Sequence, residues 1–138
     1  MRDVNAERCI RVAAAGDVHA SELTRARVED AFYAIDNEAD LVVLAGDLTT
    51  HGEPEQAAVL AGACAAISTP VYAILGNHDL HANRGDEIAQ VLRDAGIVLL
   101  ERSSAICQVD GVDIGIVGAK GFIGGFPGSS LPDFGEPL

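Results

Sequence analysis

The sequence predicts an α/β domain built on a parallel sheet, and three observations carry that prediction. Short apolar runs at residues 10–15, 41–45 and 71–75 have the length and continuity of strands buried on both faces. The segments between them place apolar residues at helical spacing. Each run closes on a glycine followed by a ligand-type residue, at Gly16-Asp17, Gly46-Asp47 and Gly76-Asn77. These glycines stand 30 residues apart, the size of one strand–helix–strand unit. Similarity between the units is otherwise slight, so the repeat is one of topology and not of a solenoid.

The elements follow in order. After the first strand, Val28, Phe32, Ile35 and Ala39 form an apolar stripe, with Ser21 as the expected N-cap of its helix. After the second strand, Pro54 suits the first turn of a helix running to about Ile67, and Pro70 then forces extension into the third strand. A third stripe, Ile88, Val91, Leu92 and Ala95, has Asp86 as its expected cap and Gly96 as its stop. Beyond Gly96 the period changes. Residues 97–100, 105–109 and 112–117 read as strands, with Asp110-Gly111 as a hairpin turn between the last two. Residues 118–138 are rich in Gly and Pro and read as loop.

Composition narrows the class. At 138 residues, with 49% hydrophobic and 22% charged residues, the chain suits one globular domain and is not a disordered one. Its longest apolar run spans residues 57–67, short of the ~20 residues a membrane helix needs, and the N-terminus lacks a signal-type apolar stretch. A net charge of −12 disfavours duplex nucleic acid held through phosphate attraction and is compatible with bound cations. Cys9, Cys64 and Cys107 are odd in number and far apart, each in an apolar neighbourhood. They read as buried free thiols of a reducing, cytoplasmic compartment.

Ligands of open α/β sheets bind beyond the carboxyl ends of the strands. There the sequence places Asp17 and His19, then Asp47, then Asn77, His78 and Asp79. On an extended segment, Asp17 and His19 at i, i+2 would point the same way and reach one cation. Asp47, one strand over, could bridge two cations, and Asn77 offers an amide oxygen. This mixture of carboxylate, imidazole and amide suits Mn, Fe, Zn or Mg. Taken singly, each residue has a plainer reading: a helix-capping Asp, a surface His, an Asn holding a left-handed turn. Three strand ends in register, each with Gly before a ligand-type residue, favour the joint reading. His51 and His81 flank the second and third clusters. Both are left out of the core site as solvated loop histidines, although either could line a pocket.

The blocks Gly16-Asp17-Val18-His19, Gly46-Asp47-Leu48-Thr49 and Gly76-Asn77-His78-Asp79 resemble the first three signature blocks of the calcineurin-like metallophosphoesterases, in the right order. The resemblance implies the N-terminal half of a four-layer α/β/β/α sandwich. Residues 1–117 would be its α/β part, and 118–138 a loop leading into an absent C-terminal half. It also implies hydrolysis of a phosphomonoester or phosphodiester by a hydroxide activated between two divalent metal ions. Asp17 and His19 would bind the first metal, Asp47 would bridge both, and Asn77 would bind the second. His78 would stabilise the transition state or protonate the leaving oxygen, and Asp79 would orient His78.

Two departures accompany the resemblance. Ala20 stands where the family usually has Gly after the first His. The family also takes further metal ligands, a His and then a G-H-x-H block, from its C-terminal half, whereas no His follows His81. The second metal is then left with Asp47 and Asn77. The expectation is therefore a chain inactive by itself, whose site a C-terminal half or second chain completes, or a non-catalytic metal- or phosphate-binding domain. Two rivals rank lower. The glycine-rich run from Gly118 to Gly125 resembles a dinucleotide-binding turn, but no helix can follow it through Pro127 and Pro132. A phosphoacceptor module with Asp47 as acceptor leaves His19 and Asn77-His78-Asp79 unexplained.

Overall fold

The computed structural model describes residues 9–121. Four strands, β1 (Val12–Ala15), β2 (Leu41–Ala45), β3 (Val71–Ile74) and β4 (Val98–Leu99), lie side by side in chain order, all parallel. Three helices, α1 (Arg25–Ile35), α2 (Pro54–Ala65) and α3 (Gly85–Asp94), connect them. Alternation along the strands divides their side chains between two faces. Val42, Leu44, Val71 and Ala73 meet Val28 and Phe32 of α1, Val59 and Leu60 of α2, and Ile88 and Leu92 of α3 in one core. Leu41, Val43 and Tyr72 face the other way, onto an antiparallel hairpin of β5 (Ser103–Val109) and β6 (Val112–Gly118), through Ala105, Cys107, Ile114 and Ile116. The described residues thus stack as three layers: helices, parallel sheet, hairpin. The predicted α/β class holds, and the hairpin turns at Asp110 and Gly111, whose φ of 48° and 77° are what a two-residue turn between twisted strands requires.

Several expectations shift for local reasons. Strands buried on both faces describe β2 and β3 but not β1. It is an edge strand whose Val12 is 52% exposed, and a groove of about 290 Å³ opens between it and Phe32 and Ile35 of α1. Ile10 precedes β1 and packs under the hairpin. Ser21 starts a 3-10 turn (Glu22–Thr24), not α1 itself: its N–H donates to Thr24 Oγ1 at 2.9 Å, and Thr24 N–H returns a bond to the Ser21 carbonyl at 3.0 Å. Asp86 lies inside the first turn of α3, where a carboxylate favours the helix dipole, and Arg84 holds the cap position. Of the cysteines, Cys64 and Cys107 are buried but Cys9 is exposed, and burial pushes the Cys64 thiol pKa up to about 12. No helix among the described residues is long and apolar enough to cross a membrane. Most of the Gly/Pro-rich stretch, including the end of the glycine-rich turn, lies outside the described residues.

Two carboxylates fasten the sheet at the end away from the strand-end cluster. Asp36, just past α1, accepts from the N–H groups of Ser68 at 2.7 Å and Thr69 at 3.0 Å as the chain enters β3. Asp40 accepts from Arg11 N–H at 2.7 Å and from its guanidinium at 3.3 Å, ahead of β1. Hydrogen bonds to the charged form hold both carboxyl pKa values below the ordinary range, from the Thr69 and Ser68 N–H groups for Asp36 and from Arg11 for Asp40.

Candidate metal centre

At the opposite end of the sheet the chain leaves β1 and β2 through left-handed backbone. Asp17, His19 and Asp47 have φ of 53°, 47° and 51°, and Gly46 has 83°. Aspartate tolerates this region better than most residues, and glycine takes it freely. The two loops lie against each other. Asp17 N–H donates to Gly46 O at 3.2 Å, His19 N–H to Asp47 O at 2.9 Å, and Ala20 N–H to Leu48 O at 2.8 Å. The segment of Asp17 and His19 is therefore not the extended one expected. The side chains still converge, with His19 Nε2 lying 3.8 Å from Asp17 Oδ1, but they do so through two left-handed residues.

The second and third loops fit together more tightly. A Cβ on Gly46 would meet Gly76 Cα at 3.1 Å, and a Cβ on Gly76 would run into the carboxylate and backbone nitrogen of Asp47. The missing side chain of Gly76 is thus the seat of Asp47, whose Oδ1 accepts the His78 N–H at 2.9 Å. Asp79 is fully buried. Its carboxylate accepts from Leu48 N–H at 3.1 Å, Thr49 N–H at 2.7 Å, Thr49 Oγ1 at 2.7 Å and Gly76 N–H at 2.8 Å. The orienting contact from Asp79 to the His78 ring, implied by the resemblance, is absent among these bonds. The carboxylate is taken up in knitting the two loops together, and the His78 ring is held instead through Nδ1, 2.8 Å from the carbonyl of Thr50. A carbonyl only accepts, so Nδ1 carries the proton and Nε2 of the neutral ring keeps its lone pair.

His19, Asp47 and His78, all half-buried, bring one ligand atom each to within 4.8 Å of one another. Donors around one cation with bonds of ~2.0–2.2 Å lie at most about 4.4 Å apart. The cluster therefore needs only small side-chain movement to close on one, and its imidazoles and carboxylate fit a borderline divalent cation. Asp17 stands beside His19 with a side chain 78% exposed. Asn77 is half-buried and opens the 3-10 turn His78–Leu80, its backbone carbonyl accepting from Leu80 N–H at 3.1 Å.

His81 departs from the solvated-loop expectation. Its ring is 4.5 Å from that of His78 between centroids, tilted 35°, while His19 meets His78 edge-on at 4.6 Å and 80°. Partial burial lowers the His81 pKa, and repulsion from His78 and His51 lowers it further. His51 is exposed, its N–H donating to Gln56 Oε1 at 2.8 Å. Sequence reasoning also passed over Thr49, Thr50 and Gly52, which enter through backbone groups and two hydroxyls, Thr49 Oγ1 on Asp79 and Thr50 Oγ1 on the His19 carbonyl. A Cβ on Gly52 would strike the carbonyls of Asp79 and His78 at 2.8 and 2.9 Å.

Residues 10–124 match the profile of the calcineurin-like phosphoesterase family. No curated protein matches the chain.

Proposed function

The chain belongs to the calcineurin-like phosphoesterase family, and from that premise we propose that it hydrolyses a phosphate ester at the ends of β1, β2 and β3. The observation that carries the reading is the convergence of His19, Asp47 and His78 from three separate loops. In this reading Asp17 and His19 would hold one divalent cation, Asn77 would hold a second, and Asp47 would serve both. When bound, such cations supply Lewis-acid polarisation of the phosphoryl group and make a water nucleophilic at neutral pH. His78 faces the phosphoryl group with Nε2. It gives a proton to the leaving oxygen only after Nε2 has taken one up, because Nδ1–H stays on Thr50. Asp47 positions His78 through its backbone N–H. Asp79 keeps the second and third loops in register and touches no reacting atom.

With Asp47 and Asn77 as the donors that the resemblance assigns to the second cation among the described residues, turnover by this chain alone is expected to be slow. The test is hydrolysis of bis-p-nitrophenyl phosphate and p-nitrophenyl phosphate with Mn2+, before and after a chelator. Release of p-nitrophenol that starts with Mn2+ and stops on chelation supports the proposal. A rate indifferent to the chelator contradicts it. So does cation binding with no hydrolysis, which would leave a non-catalytic metal- or phosphate-binding domain.

A further inference from the structure

In the run His78-Asp79-Leu80-His81 the sequence sets His81 aside as a solvated loop histidine beside the site residue His78, and the backbone gives it another meaning. Residues 78–80 form a 3-10 turn, and His81 N–H donates back to His78 O at 3.3 Å. A 3-10 turn has three residues per turn, so side chains at i and i+3 eclipse. His81 is thereby set over His78, which accounts for the 4.5 Å ring contact. His78 now lies between two other imidazoles, with His19 at its edge and His81 against its face. The Asp47 carboxylate, shared in the reading above by both cations, accepts the His78 N–H at the start of this turn. Asn77, assigned above to the second cation, begins the same turn.

We infer that His81 is a ligand of the second cation, adding an imidazole nitrogen to the Asp47 carboxylate and the Asn77 amide oxygen. The inference rests on the two-cation reading above. It gives each cation three donors from this chain: Asp17, His19 and Asp47 on one side, Asp47, Asn77 and His81 on the other, with His78 between them. The added nitrogen shifts preference toward Zn2+, Co2+ and Fe2+ and away from Mg2+, which prefers oxygen.

Co2+ titrated into the full 138-residue chain tests this, followed by calorimetry and visible absorption. Wild type is expected to bind two Co2+. In His81→Ala and in His81→Phe the second binding step should weaken by at least ~10-fold, with a matching loss of visible band intensity. His81→Phe keeps a ring against His78 without a nitrogen, so it separates ligation from packing and is the deciding variant if His81→Ala fails to fold. Two Co2+ bound by His81→Phe with wild-type affinity would overturn the inference and leave the cation site standing. Wild type binding one Co2+ would also overturn it. Wild type binding none would overturn the cation reading beneath it as well.

Discussion

Gly16-Asp17 and Gly46-Asp47 end neighbouring strands with the same two residues and nearly the same left-handed φ, 53° and 51° at the aspartates, yet the two turns are built differently. Asp47 sits in the space left by the missing side chain of Gly76, takes the His78 N–H and is half-buried. Asp17 is bonded through its backbone to Gly46, but its side chain is 78% exposed. The difference comes from their places in the sheet. β2 has a strand on each side, so its end is clasped by the turn that follows β3. β1 is the edge, and nothing among the described residues lies beyond it. A repeated motif therefore gives a clasped, half-buried aspartate at one strand and a looser, exposed one at the next.

The largest expected effect comes from cutting the clasp. Asp79→Ala would leave the buried N–H groups of Leu48 and Thr49, and the half-buried one of Gly76, without their acceptor. At ~1–3 kcal/mol for each buried donor left unsatisfied, it should lower unfolding free energy by about 3–5 kcal/mol in a denaturant titration. Glycine substitutions sharpen the comparison. Gly76→Ala drives a methyl into Asp47 and should cost about 1–3 kcal/mol. Gly16→Ala places its methyl in ordinary contact, 3.5 Å from Ala45 O, and should leave the thermal midpoint close to wild type. Equal damage from both would mean that the two turns are not differently packed.

Two smaller effects follow. Asp17→Asn should weaken Mn2+ binding by ~10-fold, and Asp47→Asn by clearly more, because in the proposed reading the second carboxylate serves both cations. At the far end of the sheet, the folded pKa of Asp36 lies below its unfolded value of ~3.9. Its contribution to stability is therefore fully present above that unfolded value and is lost as pH falls through the lower folded one. Asp36→Asn should lower the thermal midpoint at pH 7 and narrow its gap to wild type in acid. A gap that widens in acid would contradict the assignment.

What the sequence made legible follows the same division. β2, β3 and the three helices were readable because continuous apolar runs and helical stripes reflect burial that those elements do experience. β1 carries the same kind of run, but among the described residues it is the edge of the sheet, a position its own residues do not encode. At the site, the extended geometry invoked for Asp17 and His19 is replaced by left-handed turns, which two polar residues at i, i+2 do not announce. The partners of Asp79 are mainly backbone N–H groups some thirty residues earlier, and the partner of His78 is a backbone carbonyl. Such groups are present at every residue and leave no mark in a sequence. The setting of His81 over His78 depends on the turn being 3-10, a difference of backbone pitch that composition does not reveal.

The central claim is that Asp47, seated on Gly76, is the hub of a cation site. Calorimetric titration of Mn2+ into wild type and Asp47→Asn, both shown to be folded by circular dichroism, tests it most directly. The account predicts binding by wild type that Asp47→Asn loses; equal binding by the two proteins would contradict it.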